Sequence, residues 1–107
     1  MTDVPATVEL TVSEREGETV LSASGELDVN TAPELREHLS RLINGGARQI
    51  TVDLAEVSFV DSTALSVLVS ALKRLRQADG DLALASPNPS VRRVFEITGL
   101  TRLFTVR

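Results

Sequence analysis

Asp61, Ser62 and Thr63 are three small polar residues with an unusual placement. Behind them lies a strand-like run, Ile50-Thr51-Val52-Asp53-Leu54, and in front of them a strongly apolar helical stretch from Ala64 to Leu75. A hydroxyl at a helix start sits among backbone N–H groups that have no intrahelical acceptor, at the positive end of the helix dipole. A phosphate ester is accommodated in such a place without breaking the fold. The same residues have a plainer use, because Asp and Ser are preferred N-caps and a cap contributes about 1 kcal/mol. Local chemistry leaves both uses open, a cap and a phosphate-accepting switch.

Other chemistry for these residues lacks its parts. A nucleophilic Ser62 needs a base within hydrogen-bond reach and a group to orient that base. The single histidine, His38, falls in a different helix beside Leu39 and reads as a helix-side residue. There is no Gly-x-Ser-x-Gly elbow, no Ser-x-x-Lys pair and no Gly-rich phosphate loop ending in Lys-Ser/Thr. Asp28, Asp53 and Asp61 could gather on one edge around Mg²⁺, but their spacing does not specify it. With no cysteine and one histidine, disulfides, thiolate metal sites and a histidine-built metal site are excluded. The expectation is a protein that is not an enzyme and carries no cofactor or metal.

Composition narrows the partners. The 107 residues make one domain, 1–107, large enough to bury a core without staples. Fifteen acidic against eleven basic residues give a net charge of −4, which disfavours nucleic acid as a partner. Three Phe, with no Tyr or Trp, leave few base-stacking platforms or aromatic interface anchors. A partner surface is therefore expected to be small-polar, acidic and aliphatic. No apolar run approaches the roughly 18 residues that span a bilayer. The start, MTDVPATVEL, lacks a basic region followed by an apolar core. A cytoplasmic protein without direct membrane contact is expected.

The elements that must position these residues follow from periodicity. Val8, Leu10 and Val12 alternate with Thr7, Glu9, Thr11 and Ser13 as a half-buried strand. A turn at Glu16-Gly17-Glu18 joins it to a second strand, Thr19 to Ser24, as an antiparallel hairpin, and Gly25 to Asn30 leads out of the sheet. Thr31 and Glu34 fit a capping box, Pro33 the first turn, and Leu35, Leu39, Leu42 and Ile43 one apolar face that ends at Gly45-Gly46. Ile50, Val52 and Leu54 form the third strand. Ala64, Leu65, Leu68, Ala71, Leu72 and Leu75 then make the face of the most buried helix, widened by Val67 and Val69. Lys73, Arg74 and Arg76 read as solvated charges near its C-terminus, and Gly80 as its stop. Leu82 to Ala85 is a short buried strand. Asn88-Pro89 starts a helix that buries Val91, Val94 and Phe95 and ends at Gly99. Leu103, Phe104 and Val106 close with a short strand. The order β-β-α-β-α-β-α-β predicts an α/β domain: an opening hairpin, then parallel strands with helices mainly on one face.

The string VDLAEVSFVDSTALSVLV resembles the core motif of STAS domains, specifically of bacterial anti-sigma factor antagonists. The segment from Ala23 through Gly25-Glu26-Leu27-Asp28 to Pro33 resembles the family's approach to its first helix. Asn88 to Leu100 is similar to its C-terminal helix. The resemblance implies a single STAS domain acting as a partner switch. When unphosphorylated it binds an anti-sigma factor that is also an ATPase-fold serine kinase, and so frees a sigma factor. Phosphorylation releases it, and a PP2C-type phosphatase restores it. Ser62 matches the phosphorylated serine, with Thr63 the second-ranked acceptor, and Asp28, Asp61, Ser62 and Thr63 match the partner-binding positions. One departure is Ala64, where the best-known members have Gly; it adds a methyl beside the hydroxyls. The resemblance also admits a second role, as the STAS regulatory subunit of a lipid- or anion-transport or stress-sensing complex without serine phosphorylation.

Overall fold

The computed structural model describes residues 8–107. Strands β1 (Val8–Arg15) and β2 (Glu18–Leu27) form the opening hairpin. They are followed by α1 (Ala32–Asn44), β3 (Gln49–Val60), α2 (Ser62–Gln77), β4 (Asp81–Ala85), α3 (Pro89–Ile97) and β5 (Thr105–Val106), with a short 3₁₀ turn at Leu100–Arg102. The strand order is β1-β2-β3-β4-β5, antiparallel between β1 and β2 and parallel elsewhere. Each parallel step advances in the same direction, so right-handed crossovers put all three helices on one face. The expected α/β architecture and element order are those found. Thr7, the expected first residue of the opening strand, and the first seven residues of the MTDVPATVEL segment lie outside the described residues.

The core follows from register. Leu21, Val52 and Leu84 are cross-strand neighbours, all fully buried beneath the helices. α2 supplies seven buried residues against four from α1 and two from α3, so it is the most buried helix, as its periodicity predicts. Phe95 and Phe104 close the far end edge to face, their ring centres 6.1 Å apart. On the opposite sheet face Glu18 accepts from Thr51 Oγ1 and pairs with Arg107 at 3.0 Å. The Thr51 hydrogen bond first, then Arg107, holds the Glu18 carboxyl below the usual carboxylate range.

The hairpin turns on Glu16 and Gly17, both at positive φ (52° and 82°), the two-residue turn whose twist suits a right-twisted ribbon. Val12 is 46% exposed although its partner Leu21 is fully buried, because it lies toward the turn end of the edge strand β1. β2 does not end at Ser24 but runs on to Leu27.

β3 differs most from expectation. It does not stop at Leu54 but continues to Val60. Ser22 and Ser24 pair with Asp53 and Glu56, and Gly25 and Glu26 pair with Val57 and Phe59. One extra β3 residue therefore enters twice. Each bulge resets which side chains face the core. Leu54, Val57 and Val60, three apart, all end buried. Asp53 Oδ1 stabilises the first bulge by accepting from Ala55 N at 3.0 Å.

Two helix ends also differ. Thr31 is the N-cap residue of α1, but its side chain makes no cap bond and the capping box is absent. α2 ends in a Schellman motif in which Asp79, not Gly80, takes the left-handed position (φ 63°). Arg74 and Arg76 are not free solvated charges. Arg74 donates to Asn44 Oδ1 (2.7 Å) and Ser40 Oγ on α1, and Arg76 reaches Asp81 and the Leu103 carbonyl. The caps of α3 are as expected: Asn88 Oδ1 accepts from Val91 N at 2.8 Å, and Gly99 is left-handed at φ 75°.

Candidate functional site

The parallel strands end where α1 and α2 begin, and this edge carries the site. The extension of β3 brings Val60 beside Leu27, and Asp61 N donates to the Leu27 carbonyl at 3.0 Å. Asp61 is then the N-cap of α2. Its Oδ1 accepts from Ala64 N at 3.0 Å, while Oδ2 accepts from Val29 N at 2.9 Å. One carboxylate thus satisfies a helix end and ties down the β2–α1 loop, 32 residues away in sequence. The Ser62 and Thr63 N–H groups have no protein acceptor among the described residues, since Ala64 N is capped and Leu65 N binds the Asp61 carbonyl.

Ser62 is the first helical residue and its side chain is exposed; Thr63 is half-buried. Ser62 Oγ makes no protein hydrogen bond among the described residues, whereas its carbonyl accepts from Ser66 Oγ at 3.0 Å. The exposed hydroxyl, the Ser62 and Thr63 N–H groups and the positive end of the helix dipole lie together at the start of α2. Ala64 is fully buried, so its methyl packs into the core instead of standing beside the hydroxyls.

Asp28 reaches the same edge, but its side chain turns into its own loop. Oδ1 accepts from Asn30 N (2.9 Å) and Thr31 N (3.1 Å). Thr31, fully buried, explains the missing capping box: its hydroxyl donates to the Glu26 carbonyl at 2.7 Å and accepts from Asp28 N at 3.0 Å. This pair shapes the loop that delivers Val29 N to Asp61. Asp53 belongs to the first bulge, whereas Asp28 and Asp61 both accept from N–H groups of the β2–α1 loop. Among the described residues no group of His, Cys, Asp and Glu is arranged to hold a metal. His38 Nδ1 lies 2.9 Å from the Glu34 carbonyl of its own helix.

Sequence reasoning missed four residues here. Thr31 was assigned to capping. Asn88 also donates Nδ2 to the Val57 carbonyl at 3.0 Å, pinning α3 against the bulged end of β3. Phe59 is 49% exposed next to the site, and Val29 is 61% exposed. The signal for Phe59 lies in the three-residue spacing of Leu54, Val57 and Val60, which leaves it off the core face.

The double use of Asp61 gives a stability prediction. Asp61→Ala removes a cap and a loop hydrogen bond and is expected to cost about 2 kcal/mol. Asp61→Asn keeps one acceptor oxygen and is expected to lose about half of that. Urea unfolding curves measure both; equal losses for Ala and Asn would show that the capping bond contributes little.

The family profile of the STAS domain matches residues 9–107. The anti-sigma-B factor antagonist of Staphylococcus aureus (strain NCTC 8325 / PS 47) is 44% identical over 86 residues, 80% of this chain and 80% of that protein. The crystal structure of an anti-sigma factor antagonist from Mycobacterium paratuberculosis has a TM-score of 0.88 at 27% identity, covering 98% of this chain and 89% of its own. The anti-sigma factor antagonist SpoIIAA in its unphosphorylated form has a TM-score of 0.78 at 28% identity, over 94% of this chain and 88% of that one. The Bacillus cell fate determinant SpoIIAA in the phosphorylated form has a TM-score of 0.72 at 25% identity, over 92% and 91%.

Proposed function

Since this chain belongs to the STAS domain family, we propose that it is an anti-sigma factor antagonist switched by phosphorylation of Ser62. The names of its relatives support antagonism, and the two forms of SpoIIAA support phosphorylation as the control. The observation that carries the assignment to Ser62 is its exposed, unbonded hydroxyl at the first position of α2, with the adjacent Asp61 carboxylate already satisfied.

In this reading the unphosphorylated protein binds an anti-sigma factor that is also an ATPase-fold serine kinase, and the sigma factor is freed. The kinase brings the γ-phosphate of ATP to Ser62. The hydroxyl oxygen bonds to the γ-phosphorus, the bond to the β-bridging oxygen breaks, and the hydroxyl proton leaves to a base of the kinase. ATP, Mg²⁺ and the base all belong to the kinase. This chain contributes an oriented acceptor and no catalytic group.

The product is tolerated by the fold and disfavoured by the complex. About −1.5 to −2 charges appear at the start of α2, where the Ser62 and Thr63 N–H groups and the dipole offset them. A partner packed against a bare hydroxyl instead meets a desolvated charge, and the phosphates of its own nucleotide repel it. A PP2C-type phosphatase returns the serine to its binding form. No helix among the described residues is long and apolar enough to cross a membrane, which agrees with a regulator that meets its partners in solution.

Incubation with each ATPase-fold serine kinase of the source organism, plus ATP and Mg²⁺, tests this. Intact mass should rise by one phosphate, and fragment spectra should map it to Ser62, with Thr63 the only secondary acceptor. Phosphate elsewhere, or none with any kinase, would sink the assignment.

A further inference from the structure

Of three phenylalanines, two are buried in the core and the third, Phe59, is half-exposed two residues before Asp61. The reason lies in the second bulge. β4 pairs with β3 only over Gln49 to Asp53, so the β3 segment from Ser58 to Val60 has no strand on that side. α3 stands there instead, fastened by Asn88 Nδ2 to the Val57 carbonyl. Between them lies a cleft of about 110 Å³ lined by Ser58, Phe59, Val60, Ser90, Val91 and Val94. At about 30 Å³ per water, it has room for one aliphatic side chain.

The charge around the cleft points to what fills it. Glu26 is the cross-strand neighbour of Phe59, and Glu56 is three residues upstream. Both are exposed, and neither is in an ion pair among the described residues. Among the described residues the carboxylates of Asp28 and Asp61 on the same edge are hydrogen-bonded only to backbone N–H groups and to the Thr31 hydroxyl, and neither is in an ion pair. An exposed aromatic ring beside a cleft, with the unpaired carboxylate of Glu26 next to it across the sheet and that of Glu56 upstream on β3, has the composition of an interface centre awaiting a basic protein surface.

From this we infer that the docking surface extends beyond Ser62, across Phe59 and into the cleft between β3 and α3. It takes a protein partner that presents an aliphatic side chain beside an arginine or lysine. This rests on the switch reading above and adds to it the surface that sets partner choice. The aliphatic group enters the cleft against the Phe59 ring, and the cation faces Glu26 and Glu56. Sequence composition pointed away from any aromatic anchor; the fold leaves one next to the serine.

The probe is the kinase that phosphorylates Ser62 in the assay above, titrated by calorimetry against the full chain without ATP. Phe59→Ala is expected to weaken binding by about 30-fold. Ser90→Gln, which fills the cleft from its exposed rim without removing core atoms, should do the same. Ile97→Ala, at 75% exposure on the last residue of α3, is the control and should bind as the parent does. Glu56→Lys should weaken binding, and the loss should shrink as salt rises. If the parent binds and is phosphorylated while Phe59→Ala and Ser90→Gln bind within twofold of it, the extended surface is wrong and the switch stands. If Glu56→Lys tightens binding, a basic partner is wrong. If no kinase binds the parent, the switch reading fails and this inference with it.

Discussion

Ser62→Asp is expected to lower affinity for the anti-sigma factor at least about 100-fold, with the melting temperature unchanged or slightly raised. The two effects separate because they act on different neighbours. Within the chain, an acidic side chain at the first residue of α2 meets the N-terminal dipole and contributes about 0.3–1 kcal/mol of stability. No packing is lost, because the Ser62 side chain is exposed and makes no hydrogen bond among the described residues. In the complex, the same carboxylate is buried against a partner shaped for a hydroxyl. Leaving a charge unpaired there costs 2 kcal/mol or more, and a hundredfold loss corresponds to about 2.7 kcal/mol. Ser62→Ala should bind like the parent and fail to accept phosphate. Calorimetric titration with the purified anti-sigma factor, alongside thermal melts, checks both halves. An Asp variant that binds as tightly as the parent would remove charge as the basis of release.

The second large effect is far from the site and concerns stability. Gly80→Ala is expected to destabilise the fold by about 3 kcal/mol, a drop in melting temperature of 10 °C or more. A Cβ built on Gly80 lies 2.2 Å from the Arg48 carbonyl oxygen and 2.9 Å from its carbon. Those are backbone atoms at the entry to β3, so no side chain can swing aside. The contact is also hydrogen-bonded on both sides: Gly80 N to the Leu75 carbonyl at 2.7 Å, and Asp81 N to the Arg48 carbonyl at 2.9 Å. A methyl there must part the α2 C-terminus from β3 and break the first bond between β3 and β4. Denaturant melts of the variant measure it. A loss below about 1 kcal/mol would mean that the close approach relaxes cheaply. Gly80 is thus needed for proximity, while the left-handed turn beside it is taken by Asp79.

Several elements were legible because their causes are local. Asp61 and Asn88 cap their helices as their types and places predict, since a cap involves atoms within three residues. The buried face of α2, from Ala64 to Leu75, follows from a period of 3.6 and was read residue by residue. The hairpin and the parallel order of the later strands followed from turn chemistry and from alternation with helices. The resemblance of the Asp61-Ser62-Thr63 segment agrees with membership of the STAS family across residues 9–107.

What the sequence determined by itself is therefore the order of elements, the helix starts and the position of an exposed serine at one of them. The tertiary structure decided how those parts meet. Alternation could not carry β3 past Leu54, because two bulges against β2 turn a period of two into a spacing of three. The Thr31 hydroxyl abandons its cap because the Glu26 carbonyl and Asp28 N–H are presented to it by the folded loop. The second oxygen of Asp61 finds Val29 N, and Asn88 finds the Val57 carbonyl, across about thirty residues of chain. The exposure of Phe59 depends on which strand is missing beside it. Local propensity acts over about one helical turn, whereas each of these outcomes depends on partners brought together only when the sheet assembles. Ser62 is placed at a helix start by its neighbours in sequence. The surface around it is built by residues that become its neighbours only on folding.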